Sequence, residues 1–175
     1  MSEMNKNDFS HESALAIYQS AKIIVTQAAQ CEAESSEYGA CRFELNGHHV
    51  VFREAKTTPK KTGQFVTLWK RSILSGEIVP LDSGDGIDFV IISVANATYR
   101  GQFIFNKQAL LKHHVLSHMG KGGKRAIRVY PPWSSPVAKD ALKTQSWQLR
   151  YFLPITQDMH TDAMQVRQLF MIEEK

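Results

Sequence analysis

Two carboxylates and a lysine pose the first chemical question. Glu54-Ala55-Lys56 ends an alternating run, and residues i and i+2 of a strand face the same side, so Glu54 and Lys56 point into one space. Glu44 lies on the preceding strand. An acid on one strand and an acid-x-lysine on the next is how metal-dependent nucleases of the restriction-endonuclease type arrange a site. The carboxylates hold a hard divalent ion, magnesium or manganese, while the ammonium steadies the attacking water or the phosphate. E-x-K also arises often by chance, and the plainer reading is a surface glutamate beside a phosphate-binding lysine.

The same stretch is cationic throughout. Residues 53 to 71 hold Arg53, Lys56, Lys60, Lys61, Lys70 and Arg71 against one acid, Glu54. A second run, 121 to 128, holds Lys121, Lys124, Arg125 and Arg128 among glycines that permit close backbone approach to an anion. Trp69, Tyr130 and Trp133 stand nearby as candidate base-stacking or groove-wall residues. The bland alternative is a solvated face for the charges and core packing for the rings. If the two runs meet in space, about six phosphate contacts give a log–log salt slope near −5. The glycine-lysine segment lacks the spacing of a nucleotide-binding phosphate loop.

Histidine and cysteine offer less. His48 and His49 are neighbours on a strand and point opposite ways. His114 and His118 are one helical turn apart and could share an ion, with no acid or cysteine close in sequence to finish the site. Cys31 and Cys41 are the only cysteines; a disulfide between them is geometrically possible, but free structural thiols are expected in a reducing compartment. Without C-x-x-C, a structural zinc site is not expected. No G-x-S-x-G elbow or cysteine signature supports a nucleophilic hydrolase.

The elements that must position these groups emerge from periodicity. Ser10 is a plausible N-cap for a helix with apolar positions from Ala14 to Ala28. Arg42–Leu45, Asn46-Gly47 and His49–Phe52 read as a β-hairpin that runs into the basic stretch. Phe65–Trp69 is a third strand, with Gly63 closing the Lys60-Lys61 loop. Asp88–Val94 is a continuous apolar run, the mark of a central strand covered on both faces. Gln102–Phe105 is a strand that Asn106 caps into a helix through about Ser117. Ala126–Tyr130 is a strand, Ala141–Phe152 a helix ending at Pro154, and Asp162–Ile172 a short closing helix.

With 175 residues and 43% hydrophobic residues, the chain suits one domain, 1–175, of α/β or α+β class. The net charge of +4 leans towards anionic partners, and it is unevenly placed: residues 1 to 37 hold six acids against Lys6 and Lys22. The hydrophilic start and the lack of a long apolar run predict a soluble, intracellular protein without a membrane partner.

Four ordered blocks, FREAKTTPKKTGQFVTLWKR, DFVIISV, GQFIFNKQALLKH and GKRAIRVYPPW, resemble the MepB-like family, over about Tyr38 to Trp147. Its members are small bacterial cytoplasmic proteins of unassigned biochemical function. The resemblance implies a restriction-endonuclease-like fold, a mixed sheet flanked by helices, and it does not imply activity. In the family block Arg-x-Ala-Lys-x-Thr-Pro, matched by Arg53, Ala55, Lys56, Thr58 and Pro59, Glu54 occupies the variable position, which makes Glu37 a competing acid. The expected phosphate contacts are Arg53, Lys56, Lys60, Lys61, Lys70, Arg71, Lys124, Arg125 and Arg128. Three functions compete: nucleic-acid or polyanion binding, as by an inactive nuclease relative; a metal-dependent phosphodiesterase using Glu37, Glu44 or Glu54 with Lys56; and a small-anion-binding or protein-interaction domain.

Overall fold

In the computed structural model, which describes residues 11–172, the hairpin predicted around Asn46-Gly47 forms the start of a six-stranded sheet. Strands β2 (Cys41–Leu45) and β3 (His48–Glu54) are antiparallel, and their turn has Asn46 at φ 49° and Gly47 at φ 79°. Two consecutive left-handed residues match the turn to the strand twist, which is why Asn-Gly is favoured there. β3 pairs in parallel with β8 (Phe89–Ala95), the predicted central strand, buried along both faces up to its last residue. β8 pairs with β9 (Arg100–Asn106), and β1 (Val25–Cys31) and β11 (Phe152–Ile155) form the edges, in the order β1-β2-β3-β8-β9-β11.

Alternation along β3 divides the core. Val50 and Phe52 face helices α1 (His11–Ser20) and α4 (Ala163–Leu169), where Tyr18, Val166 and Phe170 close the layer. Val51 faces the other way, towards a second layer built from α2 (Lys107–Lys112), α3 (Lys139–Gln148) and a three-stranded sheet. That small sheet comprises β4 (Lys56–Thr57), β5 (Gln64–Thr67) and β10 (Ala126–Val129), in the order β10-β5-β4. β6 (Trp69–Arg71) and β7 (Ile78–Pro80) make a separate two-stranded ribbon. The fold is thus mixed α/β, a mixed sheet flanked by helices, as expected. No helix among the described residues is long and apolar enough to cross a membrane.

Several expectations change. The first helix stops at Ser20, not Ala28, because Lys22 turns left-handed (φ 63°) and Ile23 returns its N–H to the Tyr18 carbonyl. Beyond that stop the chain becomes edge strand β1, paired with β2. The predicted N-cap of α1, Ser10, lies outside the described residues. The helix after Asn106 ends at Lys112: His114 is left-handed (φ 59°) and Val115 donates back to Leu110, turning the apolar end inward. His114 and His118 are therefore not neighbours on one helix. Phe65–Trp69 is split between β5 and β6, and neither joins the main sheet. Helix α3 ends at Gln148, and Pro154 sits inside β11, opposite Gly101. An edge strand tolerates a residue with no N–H to give. Cys31 and Cys41 are not free thiols but face each other across β1 and β2, joined as a disulfide with Cα atoms 4.0 Å apart.

Candidate nucleic-acid interface

The junction at Ala55 sets the geometry. Ala55 donates to the Ser93 carbonyl, the last bond of the main sheet, and the chain then enters the small sheet as β4. Lys56 is there paired with Phe65, and Phe65 on its other side is paired with Arg128. Cross-strand partners share a face, so Lys56, Phe65 and Arg128 form one row on the outer side of the sheet, while Val66, Ile127 and Val129 fill the inner side. The two basic runs, far apart in sequence, therefore meet across β5.

Arg128 also organises the loop between β4 and β5. Its guanidinium donates to the Thr58 hydroxyl (2.7 Å) and the Thr62 carbonyl (3.3 Å), and it lies 5.9 Å from the Phe65 ring centroid. Further donors remain on its fork. At the loop's end Gly63 is left-handed (φ 81°), and the Tyr130 ring lies 2.7 Å from where its Cβ would stand. The loop carrying Lys60 and Lys61 is thus held at both ends, with both lysines exposed. Lys56 sits 5.1 Å from the Tyr38 ring centroid. Burial, reinforced by Glu37, raises the Tyr38 phenol above its usual pKa, so the ring stays neutral under the ammonium.

Beside β10 lies a pocket of about 400 Å³, lined by Lys112, Lys124, Arg128, His113 and His114 and by no carboxylate. His113 stacks flat on Trp147, centroids 3.9 Å apart and planes 4° from parallel. Burial, with Lys112 beside it, lowers the His113 pKa, leaving the imidazole neutral at pH 7. Gln148, which is buried, closes the outer edge of β10: it accepts from Tyr130 N–H and donates to the Arg128 carbonyl, both at 2.9 Å. Among the described residues, none of Lys56, Lys60, Lys61, Lys112, Lys124, Arg125 and Arg128 has an ion pair.

Three predicted phosphate contacts are not on this face. Arg53 points inward from β3 and is 1% exposed. It donates to the Phe52 carbonyl and lies 3.7 Å from Glu32, with its Nε unpartnered, and burial lowers its pKa. Lys70 and Arg71 lie on β6 against Asp85 and Glu34. They line a cleft of about 860 Å³ where Glu32, Glu34, Asp82 and Asp85 face Arg42, Lys70 and Arg71, so carboxylates outnumber the cations. Within it Asp82 accepts from Gly120 and Gly84 N–H groups and the Ser117 hydroxyl, which lower its pKa to about 2. Trp69 lines this cleft under Arg71, and Trp133 stacks on Tyr99 and abuts Phe152. Neither tryptophan belongs to the basic face; Tyr130 does.

The candidate carboxylates separate too. Glu44 is opposite His49, and Glu54 is five residues further along β3 and of opposite parity. At about 3.3 Å per residue that is some 16 Å and the other face of the sheet, so the two cannot hold one ion. Glu44 instead accepts from the Thr26 hydroxyl at 2.8 Å. Glu54 does come near Lys56 through a shared neighbour: its carboxyl lies 2.7 Å from the Cβ position of Gly39, which caps the turn Ser36–Tyr38 that presents Tyr38 to Lys56 and contains Glu37. Lys112, His113 and Trp147 join the site without any sign in the sequence, because they reach β10 only through tertiary packing and carry no local motif.

A family model described as MepB-like matches residues 32–154. A crystal structure of MepB aligns with 30% identity and a TM-score of 0.71, over 82% of this chain and 95% of that one. A bacterial homing endonuclease, I-Ssp6803I, aligns over 86% of this chain and 94% of its own at 13% identity and a TM-score of 0.48, a likeness too low to transfer any property. No curated protein matches in sequence.

Proposed function

The chain belongs to the MepB-like family, and because the matched region contains the whole basic face, we propose that this face is the working surface and that it binds nucleic acid or a comparable polyanion. The cytoplasm, where such ligands are abundant, is the proposed location. The observation that carries the reading is the row Lys56–Phe65–Arg128, two cations around an aromatic ring with no acid among the described residues paired to either. Lys60 and Lys61 extend it through the loop that Arg128 holds, and Lys124 extends it through the pocket beside β10. Arg125 is exposed at the start of β10 and supplies a sixth cation. Phosphates set the affinity of such a surface, and the Phe65 and Tyr130 rings offer faces on which an unpaired base can stack.

Fluorescence anisotropy with a labelled oligonucleotide tests the reading. Six phosphate contacts predict a log–log salt slope of about −5, a loss of about a thousandfold in affinity between roughly 50 and 200 mM salt. Binding that ignores salt, or none at the lowest salt, would falsify the proposal.

A second reading has one observation in its favour: the turn Ser36–Tyr38, which contains Glu37, sets the Tyr38 ring 5.1 Å from the Lys56 ammonium, while its cap Gly39 abuts Glu54. Glu37 and Glu54 could hold magnesium or manganese there, with Lys56 at the scissile phosphate. Adding each metal to the same mixtures and running the products on a gel decides it; cleavage that survives Lys56→Ala would rule this site out.

A further inference from the structure

The cysteine pair has a third partner. His11, the first residue of α1, places Nδ1 3.5 Å from Cys41 Sγ and 3.9 Å from Cys31 Sγ. The three ligand atoms all lie within 4.8 Å of one another, and no other group of three histidines, cysteines or acids among the described residues does so. We propose that His11, Cys31 and Cys41 form a thiol-gated site for a soft or borderline metal ion, zinc(II) as the reference case, open when the cysteines are reduced and abolished when they are joined.

The distances carry the argument. Two ligands at about 2.0 Å (nitrogen) and 2.3 Å (sulfur) from a tetrahedral zinc stand roughly 3.5 Å apart. The imidazole is already near that separation from both sulfurs, so only the sulfurs have to part. Cys31 and Cys41 are directly opposed across β1 and β2. The disulfide draws their Cα atoms to 4.0 Å, whereas unbonded opposed positions keep their Cβ atoms about 4.5–5.5 Å apart, so reduction lets the strands relax and gives the two thiolates room around one ion. Cys31 is exposed and Cys41 buried, so the site is entered from solvent and backed by the core, with the Phe52 ring edge-on to His11 at 6.4 Å. Three protein ligands leave a fourth position for water or an added ligand. The pieces lie 10 and 20 residues apart, too irregular for the C-x-x-C spacing that a zinc site announces in sequence.

The gate is a balanced exchange. A low-molecular-weight disulfide oxidises the zinc-bound thiolates: the Cys31–Cys41 bond forms, the reagent's sulfur–sulfur bond breaks, two protons from solvent give two small thiols, and zinc leaves unchanged in oxidation state.

Zinc titration of the reduced, oxygen-free full-length chain against a chromophoric chelator tests this, with cobalt(II) absorption as a second reading. One equivalent should bind, and cobalt should show thiolate charge-transfer bands. Cys31→Ser and His11→Ala should each weaken binding by at least the 10–100-fold that losing an outer-shell partner costs. The chain oxidised with diamide should bind none. Since a variant could lose its fold, the unmutated chain supplies an independent reading: zinc should raise its melting temperature only when reduced. Sub-stoichiometric binding by the reduced chain, equal binding by the oxidised one, or variants that bind like the original would each overturn the proposal.

Discussion

The outer face of the small sheet and the cleft beside the β6–β7 ribbon draw on the same kind of sequence and behave differently. Lys56, Lys60 and Lys61 come from the basic stretch, as do Lys70 and Arg71. On the small sheet the cations have no ion-pair partner among the described residues; in the cleft Lys70 meets Asp85, Arg71 meets Glu34, and Arg42 meets Glu32. A cation whose field is closed by a neighbouring carboxylate has little left for a phosphate. What makes a surface attract polyanions is therefore not a density of lysine and arginine but the absence of answering charge, and that absence is tertiary. Arg53 is the extreme case, drawn from the same stretch and fully enclosed.

The contrast can be broken most forcefully by reversing charge on the unpaired row. Lys56→Glu with Arg128→Glu should cut oligonucleotide affinity about a hundredfold at moderate salt and make the salt slope shallower by about two, as judged by anisotropy. Unchanged affinity would mean that the face is not the binding surface. Next comes the enclosed cation. Glu32→Ala removes the carboxylate that serves both Arg42 and Arg53 and leaves the latter buried without a counter-charge, so the chain should lose about 2 kcal/mol in urea unfolding while its salt slope stays the same. A change in slope with no change in stability would show Arg53 to be a ligand contact after all. The smallest effect is expected in the cleft. Lys70→Ala or Arg71→Ala should change affinity by less than about threefold, because Asp85 and Glu34 already answer their charges. A loss as large as that of the reversed row would erase the distinction between the two regions.

Much of the fold is legible in the sequence because local chemistry and tertiary demand agree. Asn46-Gly47 favours one kind of turn, the apolar run of β8 needs cover on both faces, and Asn106 does accept from Ala109 N–H as its helix cap. Reading fails where a strand lies at an edge. Val25–Cys31 has an alanine pattern that suits a helix equally well, and only pairing with β2 decides it. Phe152–Ile155 contains a proline and looks like a helix end until β9 is beside it. The candidate site divides along the same line. Lys56 and Arg128 meet because β5 pairs with both of their strands, a contact that the expected third strand leaves open. Glu44 and Glu54 part because five residues along a strand reverse the side. The cysteines and His11 converge through an edge strand whose periodicity reads as helix.

Gln148 guards the rim of the small sheet. An outermost strand ordinarily advertises a row of backbone groups to any passing polypeptide, a standing invitation to stack copy upon copy. Here one carboxamide answers the carbonyl of Arg128 and the N–H of Tyr130 at once, imitating the strand that is not there. By occupying that berth itself, the molecule keeps a positively charged surface available to a ligand and denies the neighbouring rim to its own kind.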